Sequence, residues 1–517
     1  PVGTGQRAGS QPAAKAVAPG KQAGMMFPKS ERAGIIDIGS NSVRLVIYDV
    51  LGASILQTFN EKVMAGLGEG LIQRGTLSPT GREAALSALS RYRAILKALH
   101  LRNYTAVATA AVREASDGAD FVKKAGRVLG RPVMVLSGAD EARLSALGVE
   151  ASFHRPKGVM GDLGGSSIEF QRIGSGKARG ESLLLGPLSL AEEADDLREL
   201  RKKVRAELKS SKVLPGAQGR FYAVGGAWRS FARLNMEIEN YPLHVLQGYQ
   251  MNEGQVARTA KLCLDSVSNA GARSRVEKVD RRRAKHLPIA AIILEEILAI
   301  SPLEGVTISS GGLREGVLRD LTGAAVTDPL LDGVIAFGRL DQNQIAFGQA
   351  LHEFVGPAFA PEPDLFGSPA ADARIEKAAC MMADSAGRFH PDHRALLAYE
   401  QALRAPYAGV THAERGMIAF AVGCRYEKDF KRPGEYLSLT SDEQADRARQ
   451  LGSAMRLGAV FSGRSGPILK RASLARKGEN LELHVLKVDE PMVSDTVLRR
   501  LTQTANQLRL KPTVVAR

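Results

Sequence analysis

Short apolar runs alternate with longer amphipathic segments between residue 33 and about residue 321. Apolar runs bounded by Gly, Ser or Asp favour strands, whereas apolar residues three or four positions apart favour helices. This alternation predicts an α/β protein. The predicted strands are Gly34–Ile38, Val43–Val50, Tyr104–Thr109, Val133–Leu136, Gly158–Asp162, Ile168–Ile173, Phe221–Val224 and Val306–Ser309. The predicted helices are Thr80–Leu99, Ala139–Ala151, Leu190–Lys209 and Leu287–Ile300.

The pattern changes at both ends of the chain. Beyond about Asp328, helical spacing predominates, for example in ARIEKAACMMADSAGRF and HAERGMIAFAVGCRYE. Near the end, NLELHVLKV (Asn480–Val488) alternates apolar and polar residues as a strand does, so we expect a small α+β tail. Residues 1–31 are rich in Ala, Gly, Pro, Gln and Lys without any period, which predicts a disordered leader.

Two stretches of the α/β part repeat each other. GIIDIGSNSVRLVIY begins at Gly34, and GVMGDLGGSSIEFQRI begins at Gly158. Each has Asp, an aliphatic residue, Gly, two small residues and Ser between two apolar runs. A repeated unit predicts two similar lobes that face each other across a cleft. We therefore expect lobe I at 32–152, lobe II at 153–325, and a C-terminal domain with its tail at 326–517.

The repeated turns have the composition of phosphate sites. Gly and Ser in a tight turn present successive backbone N–H groups to an anion, while Asp suits a divalent cation that screens the phosphates. One such turn alone is an ordinary turn more often than a site, but a matched pair favours a ligand. The candidate phosphate-binding residues are Gly39, Ser40, Asn41, Ser42, Gly164, Gly165, Ser166 and Ser167. The candidate metal ligands are Asp37 and Asp162.

Three charged residues near these turns are further candidates, and two of them have alternative interpretations. Strand alternation directs Glu169 to the side of Asp162, where two carboxylates would share a metal ion; otherwise it is an exposed strand residue. Glu141 opens a predicted helix, where it either complements the helix dipole or acts as general base for water. Arg113 follows a strand in ATAAVRE and suits phosphate oxygens.

Two further junctions combine a strand, a Gly-Gly pair and a helix. They are AVGGAWRS (Ala223–Ser230) and ISSGGLREGVL (Ile308–Leu318). The N-terminus of a helix offers free N–H groups to anions, although a Gly-Gly pair alone is a weak signal. We add Gly225 and Gly226 to the candidate phosphate-binding residues.

The charge of the chain points to a polyanionic ligand. The 517 residues carry a formal net charge of +15, part of it in RKKVR (Arg201–Arg205), RRRAK (Arg281–Lys285) and LKRASLARK (Leu469–Lys477). Any single run also fits a solvated helix face. Aromatic residues make up only 5%, and no basic-aromatic stacking pattern is present, so we expect no specific nucleic acid partner.

Apolar run lengths and cysteine usage bear on the compartment. The sequence has no apolar stretch long enough for a transmembrane helix, and its N-terminus has no apolar signal core. Cys263, Cys380 and Cys424 form no CxxC pair, which fits a reducing environment. We expect a cytoplasmic protein without membrane insertion.

Five motifs resemble the exopolyphosphatase and guanosine pentaphosphate phosphohydrolase family over Ala33–Leu321. They are, in order, DIGSNSVRLVI, ATAAVRE, SGADEARL, GDLGGSSIEF and GLREGVL. The resemblance implies two ribonuclease-H-like (actin-like) lobes around a cleft. It also implies hydrolysis of the terminal phosphate of inorganic polyphosphate, with pppGpp of the stringent response as the alternative substrate. A non-catalytic sensor of polyphosphate or ppGpp-type alarmones, and a kinase, are the remaining alternatives.

The resemblance further assigns roles to single residues. Glu141 matches the family's proposed catalytic base, Asp162 and Glu169 match its acids at the metal and water site, and Arg113 matches its phosphate-binding arginine. Mg²⁺ is the implied cofactor, with another divalent cation or K⁺ left open. Where the family usually has DLGGGST, this chain has Ser166 and Ile168. We expect this departure to alter chain-length preference or turnover without abolishing activity.

The segment Met382–Glu427 resembles the family's HD-like domain. It lacks the adjacent His-Asp ligands of metal-dependent HD phosphohydrolases, and its histidines at 390, 393 and 412 are scattered. We therefore expect an all-α HD-like domain without chemistry of its own. In this interpretation it positions the polymer and contributes contacts to a homodimer.

Overall fold

The structure, a computed structural model, describes residues 31–174, 180–191, 196–323, 328–359 and 364–517. Residues 1–30 of the predicted leader lie outside the described residues. Glu31, the last residue of that predicted segment, already belongs to the first strand.

Lobe I is built on a five-stranded sheet with the order β3-β2-β1-β4-β5. β1, β2 and β3 are antiparallel neighbours, and β4 and β5 run parallel to β1. The sequence does not predict β3, because polar residues interrupt its apolar ones and four of its ten residues are exposed. The elements are β1 (Glu31–Ile38), β2 (Val43–Leu51), β3 (Ser54–Val63), α1 (Leu71–Arg74), α2 (Pro79–Ala98), β4 (Tyr104–Ala108), α3 (Ala110–Glu114), α4 (Gly118–Leu129), β5 (Val133–Val135) and α5 (Gly138–Glu150).

Lobe II repeats this arrangement and adds one strand at the edge. Its sheet has the order β10-β11-β9-β6-β7-β8, with β6, β7 and β8 antiparallel and β9 and β11 parallel to β6. The elements are β6 (Gly158–Leu163), β7 (Ile168–Ile173), β8 (Glu181–Leu183), α6 (Leu197–Lys209), β9 (Arg220–Gly225), α7 (Gly226–Ile238), β10 (Gln250–Met251), α8 (Glu253–Asp265), α9 (Ala270–Asp280), α10 (Leu287–Ile300), β11 (Val306–Ile308) and α11 (Leu313–Thr322). The expectation of two related α/β lobes is thus confirmed.

Helices α5 and α11 cross between the lobes. α5 packs on β6 and β7 of lobe II, whereas α11 packs on α5 and on β1 of lobe I. The crossing is close, because a Cβ on Gly148 would collide with the carbonyl oxygen of Gly312, and one on Gly316 with that of Leu144. Each lobe therefore covers part of its sheet with a helix from the end of the other lobe.

The C-terminal part is mainly helical and ends in a three-stranded sheet with the order β12-β13-β14. β12 and β13 are antiparallel, and β14 runs parallel to β13 because α19 connects them. The elements are α12 (Pro329–Gly338), α13 (Gln342–Phe359), α14 (Pro369–Met381), α15 (Arg394–Arg404), α16 (His412–Tyr426), α17 (Asp442–Ser462), α18 (Gly466–Leu469), β12 (Ser473–Lys477), β13 (Asn480–Val485), α19 (Asp495–Gln507) and β14 (Lys511–Ala516).

The C-terminal part contacts both lobes. The Asp332 carboxylate on α12 accepts a hydrogen bond from the backbone N–H of Ala53, in the turn between β2 and β3 (2.7 Å). His412, at the start of α16, is buried, and its Nδ1 lies 2.7 Å from the hydroxyl of Tyr241 in lobe II. Burial lowers the pKa of His412 to about 4, so this histidine is neutral and structural, as expected.

The described helices do not include one with the length and apolarity that crossing a membrane requires.

Replacing Gly316 by Ala should destabilise the protein by about 1–3 kcal/mol or more, because the helices α5 and α11 would have to separate. The matched control is Gly254→Ala on exposed α8, where the new methyl group meets only ordinary contacts and removes backbone freedom from the unfolded chain. Chemical denaturation would measure both free energies of unfolding. Equal stability of the two variants would contradict the proposed closeness of the crossing.

Candidate active site

A cavity between the lobes is lined by both repeated turns. In each turn a glycine N–H donates to a serine carbonyl three residues on, from Gly39 to Ser42 (3.0 Å) and from Gly164 to Ser167 (2.9 Å). The turns face each other, since the hydroxyls of Ser166 and Ser40 are 3.5 Å apart. The structure brings together at this cavity the predicted residues Asp37, Gly39, Ser40, Asn41, Ser42, Glu141, Asp162, Gly164, Gly165, Ser166, Ser167, Glu169, Gly225 and Gly226.

Asp162 and Glu169 lie side by side as predicted. They are directly opposed in the β6–β7 pair, so both side chains emerge on the same face of the sheet. Ser145 of α5 donates to Asp162 (2.7 Å), and Ser167 (2.5 Å) and Ser182 (2.9 Å) donate to one oxygen of Glu169. Burial raises the pKa of both carboxyl groups, so a positive charge in the cavity would stabilise their ionised forms.

Asp37, the acid of the first turn, is already paired. Arg314 of α11 donates to its carboxylate (2.9 Å), joining the end of lobe II to β1 of lobe I. The next residue, Glu315, accepts a hydrogen bond from the hydroxyl of Tyr48 on β2 (2.6 Å). The carboxylate of Asp37 is therefore less available to a cation than those of Asp162 and Glu169.

Glu141 stands in the first turn of α5, where Ser137 caps the helix. Glu141 is only 7% exposed, yet it lines the cavity. Burial raises the pKa of Glu141 to about 7; the ion pair with Arg113 opposes this rise, and the charges of Asp162 and Asp37 add to it. A carboxylate with such a pKa can accept a proton from water near neutral pH.

Arg113 lies behind Glu141 and is not among the described residues that line the cavity. Its guanidinium bonds the Glu141 carboxylate, the carbonyl of Leu136 (2.7 Å) and the exposed carboxylate of Glu114 (3.0 Å). This geometry makes Arg113 a positioning partner of Glu141 rather than the direct phosphate ligand that the sequence suggested.

Gly225 and Gly226 open α7 at the floor of the cavity. Gly225 has a φ of 114°, which a residue with a side chain rarely adopts, and a Cβ there would collide with the Leu163 carbonyl. A Cβ on Gly226 would meet the guanidinium of Arg283 at 2.8 Å. Glycine at both positions lets the backbone N–H groups of α7 and the Arg283 side chain approach the same space.

Sequence reasoning missed a basic wall on the same cavity. It consists of Arg44, Lys62, Arg229, Arg282, Arg283 and Arg314, and the neutral His286 lies among them. Burial, followed by repulsion from Arg283, Arg44 and other arginines, lowers the pKa of Lys62 to about 8. Crowded cations of this kind are stabilised by a multiply charged anion.

The sequence did contain a signal for this wall. Arg314 lies two positions and Arg229 three positions after a Gly-Gly pair, and Arg282 and Arg283 belong to the basic run RRRAK. Neither the glycines of those junctions nor the overall charge of the run indicates that these arginines line one cavity. Within the described part of the chain, Arg44, Lys62 and Arg229 form no ion pair with a carboxylate.

The two carboxylates of Asp162 and Glu169 suit a hard cation that keeps most of its water ligands. They suit less well a cation whose ligands all come from the protein. Asp162 and Glu169 offer carboxylate oxygens, the ligand type that Mg²⁺ and other hard cations prefer. Among residues 31–517, as far as they are described, no group of three or more His, Cys, Asp or Glu is arranged to hold a metal ion. Since Mg²⁺ commonly keeps several waters and takes one or two carboxylates, the pair fits it.

Two family models match the chain, one on each side of residue 330. Residues 46–324 match the Ppx/GppA phosphatase family, and residues 340–512 match the C-terminal domain of exopolyphosphatases. The chain belongs to the Ppx/GppA phosphatase family. The family expected from the five motifs is thereby confirmed.

Relatives within the Ppx/GppA family resemble the two lobes. Exopolyphosphatase 1 of Mycobacterium tuberculosis is 26% identical over 319 residues, which are 58% of this chain and 91% of that protein. The crystal structure of the Aquifex aeolicus family member has 26% identity and a TM-score of 0.50, covering 57% of this chain and 99% of that one. An exopolyphosphatase from Cytophaga hutchinsonii, at 23% identity and a TM-score of 0.50 over the same shares, supports the fold.

Ser166 and Ile168, the two residues that depart from the usual family turn, have different surroundings. Ser166 lines the cavity, and its hydroxyl lies toward Ser40 of the opposite turn. Ile168 is fully buried in the core of lobe II, so no hydroxyl reaches the cavity at that position. The substitution at 166 therefore adds a donor between the turns, while the one at 168 adds only packing.

Binding of orthophosphate should weaken by up to about tenfold as the pH rises through about 8, because Lys62 loses its proton there while the arginines keep theirs. Lys62→Arg should reduce this slope, since arginine does not titrate in the range, whereas the ionisation of Glu169 near pH 8 retains part of it. Calorimetric titration between about pH 7 and about pH 9.5 would measure both.

Exposed Lys97 on α2 provides the matched control for this experiment. Lys97→Arg should retain the slope of the unmodified protein. A full slope in Lys62→Arg would show that another group governs the pH dependence.

Proposed function

We propose that this protein is an exopolyphosphatase that hydrolyses the terminal phosphate of inorganic polyphosphate with a water molecule activated by Glu141. One observation carries the proposal: the cavity that holds the buried base also holds two facing phosphate turns and a wall of cations. A base, anion-binding turns and many cations are the components that phosphoanhydride hydrolysis requires.

Each group has a role that follows from its position. The N–H groups and hydroxyls of the facing turns would bind the terminal phosphates, and the basic wall would bind the units behind them. Arg113 orients the Glu141 carboxylate, which would take a proton from the attacking water. Arg314 would add positive charge where charge develops on the transferred phosphate.

Asp162 and Glu169 would hold a Mg²⁺ ion, another divalent cation being the alternative. When bound, the ion would supply charge neutralisation and orientation of phosphate oxygens. The high pKa values of these two carboxyl groups support this role, because a cation would stabilise them as anions.

The second candidate substrate is pppGpp, since the same cavity suits any terminal phosphate. The lining favours polyphosphate, because the described residues that line the cavity include no Phe, Tyr or Trp on which a guanine base would stack. A non-catalytic sensor of either ligand is the alternative from another class. The presence of Glu141, Asp162 and Glu169 in one cavity argues against a non-catalytic sensor.

The C-terminal helices are proposed to form an HD-like domain that positions the polymer. Their contacts with the β2–β3 turn of lobe I and with Tyr241 of lobe II support a fixed arrangement beside the cleft. A homodimer, a cytoplasmic location and a role in the stringent response are further proposals that rest on the family resemblance.

Glu141→Gln should lower kcat for phosphate release from long-chain polyphosphate by about 10²–10⁴-fold, because the amide cannot accept the proton. Phosphate release with and without Mg²⁺ would be measured. Glu114→Gln is the matched control: Glu114 also pairs with Arg113, but it is exposed and lies outside the cavity lining. Equal loss in both variants would refute the assignment of the base.

We expect turnover of polyphosphate to be faster than turnover of pppGpp when both are measured side by side. Tight binding of either ligand by the unmodified protein without phosphate release in Mg²⁺ would overturn the enzymatic proposal and favour the sensor.

The rate should rise with pH through about 7 on the acid side of the profile, because burial raises the pKa of Glu141 and only its ionised form acts as base. The value of kcat/KM between about pH 5 and about pH 9 would report this group in the free enzyme. A profile that is flat down to about pH 5, where an ordinary glutamate is still ionised, would contradict the role.

A further inference from the structure

A small cavity in the C-terminal part lies between α16, α17 and α19. Its lining consists of Cys424, Lys428, Arg449, Ser453, Arg456, Gln503 and Gln507. Three of these side chains are cationic, two are amides, one is a hydroxyl and none is a carboxylate. The cavity shares no lining residue with the cavity between the lobes.

The described lining of this cavity contains no carboxylate, and the charge of Glu427 has only a minor effect on Arg456. Arg456 is 8% exposed, and its described hydrogen bonds go to the backbone carbonyls of Arg425 (3.1 Å) and Cys424 (3.2 Å). Burial, then repulsion from Arg500 and Arg425, lowers the pKa of Arg456 to about 10. Cations that repel one another in a partly buried setting favour an anion between them.

One neighbouring guanidinium group has an unused donor. The Nε atom of Arg500 is buried and has no hydrogen-bond partner in the described part of the chain. Arg500 also donates to the Oε1 atom of Gln503, a lining residue (2.8 Å). Buried donors are nearly always satisfied, so this Nε atom indicates a missing acceptor nearby.

A purely structural role explains only part of the cluster. Arg456 satisfies the last carbonyls of α16 and so stabilises that end of the helix. Arg449 lies over the ring of Phe420 (5.0 Å) and forms no ion pair with a described carboxylate, while Lys428 is exposed at the rim. Capping of α16 by Arg456 and the contact of Arg449 with Phe420 therefore leave the positive charge of Lys428 without a structural purpose.

We propose that this cavity binds a phosphate-class oxyanion. Guanidinium groups match the oxygens of a tetrahedral anion, and the amides and the serine hydroxyl add neutral donors. The anion is either free orthophosphate or one unit of a polyphosphate chain. Anion binding here does not depend on the activity proposed for the cavity between the lobes.

The test counts bound phosphate on the full chain by equilibrium dialysis with labelled orthophosphate. Gln503→Glu places a carboxylate next to Arg500 at the cavity and should weaken one site about tenfold or more, so that the variant binds one phosphate fewer than the unmodified protein. The matched control is Arg499→Gln at an exposed position of α19, where the side chain donates to Thr496 and to no other described side chain. This control should bind as many phosphates as the unmodified protein.

Lys428→Gln provides a second variant, because the side chain is exposed and its loss leaves the packing intact. It should weaken the same site less than Gln503→Glu does. Phosphate binding with unchanged number and affinity in both variants would overturn the proposal. Since dialysis needs no turnover, this result is independent of whether the protein hydrolyses polyphosphate.

Kinetics separate the two sources of the anion. If the site holds a unit of the chain, Gln503→Glu should raise KM for long-chain polyphosphate and leave KM for tripolyphosphate unchanged. If it holds free phosphate, both KM values should stay unchanged while the bound orthophosphate is lost. Either pattern supports the site, with a different source of its ligand.

Discussion

The close crossing of α5 and α11 is the constraint on which the site depends. Glycine at 148 and 316 lets the two helix backbones touch, and a methyl group at either position would force them apart. Through this crossing α11 carries Arg314 to Asp37 in lobe I, and α5 carries Ser145 to Asp162 in lobe II. Since Glu141 stands on the same α5, one contact fixes its carboxylate relative to both Gly-Ser turns.

Electrostatics explain why the cavity suits a chain of phosphates. Burial, followed by repulsion from neighbouring acids, raises the pKa of Glu141 and Glu169, and burial followed by repulsion from neighbouring arginines lowers the pKa of Lys62. The cavity thus contains a group of carboxylates and a group of cations. Repulsion within each group disfavours the charged forms of its members. A polyanion accompanied by a cation relieves both at once, and family membership agrees with this chemistry.

The parts of the site that the sequence predicted are those whose residues are neighbours along the chain. The turns around Gly39 and Gly164 were found because their residues are contiguous, and Glu169 was placed beside Asp162 by strand alternation. Arg113 was identified as relevant but assigned to phosphate, because its partner Glu141 is 28 residues away. The basic wall was missed since its members come from separate elements.

The sequence alone determined the two α/β lobes, the matched turns and the family, because hydrophobic period and turn composition act over a few residues. Only the tertiary structure decided which charges meet. It paired Asp37 with Arg314 across 277 positions, set Arg113 behind Glu141 and gathered the cations on one wall. Such contacts arise from helix crossing and sheet order, and a charged residue in sequence does not reveal which partner the folded chain will bring to it.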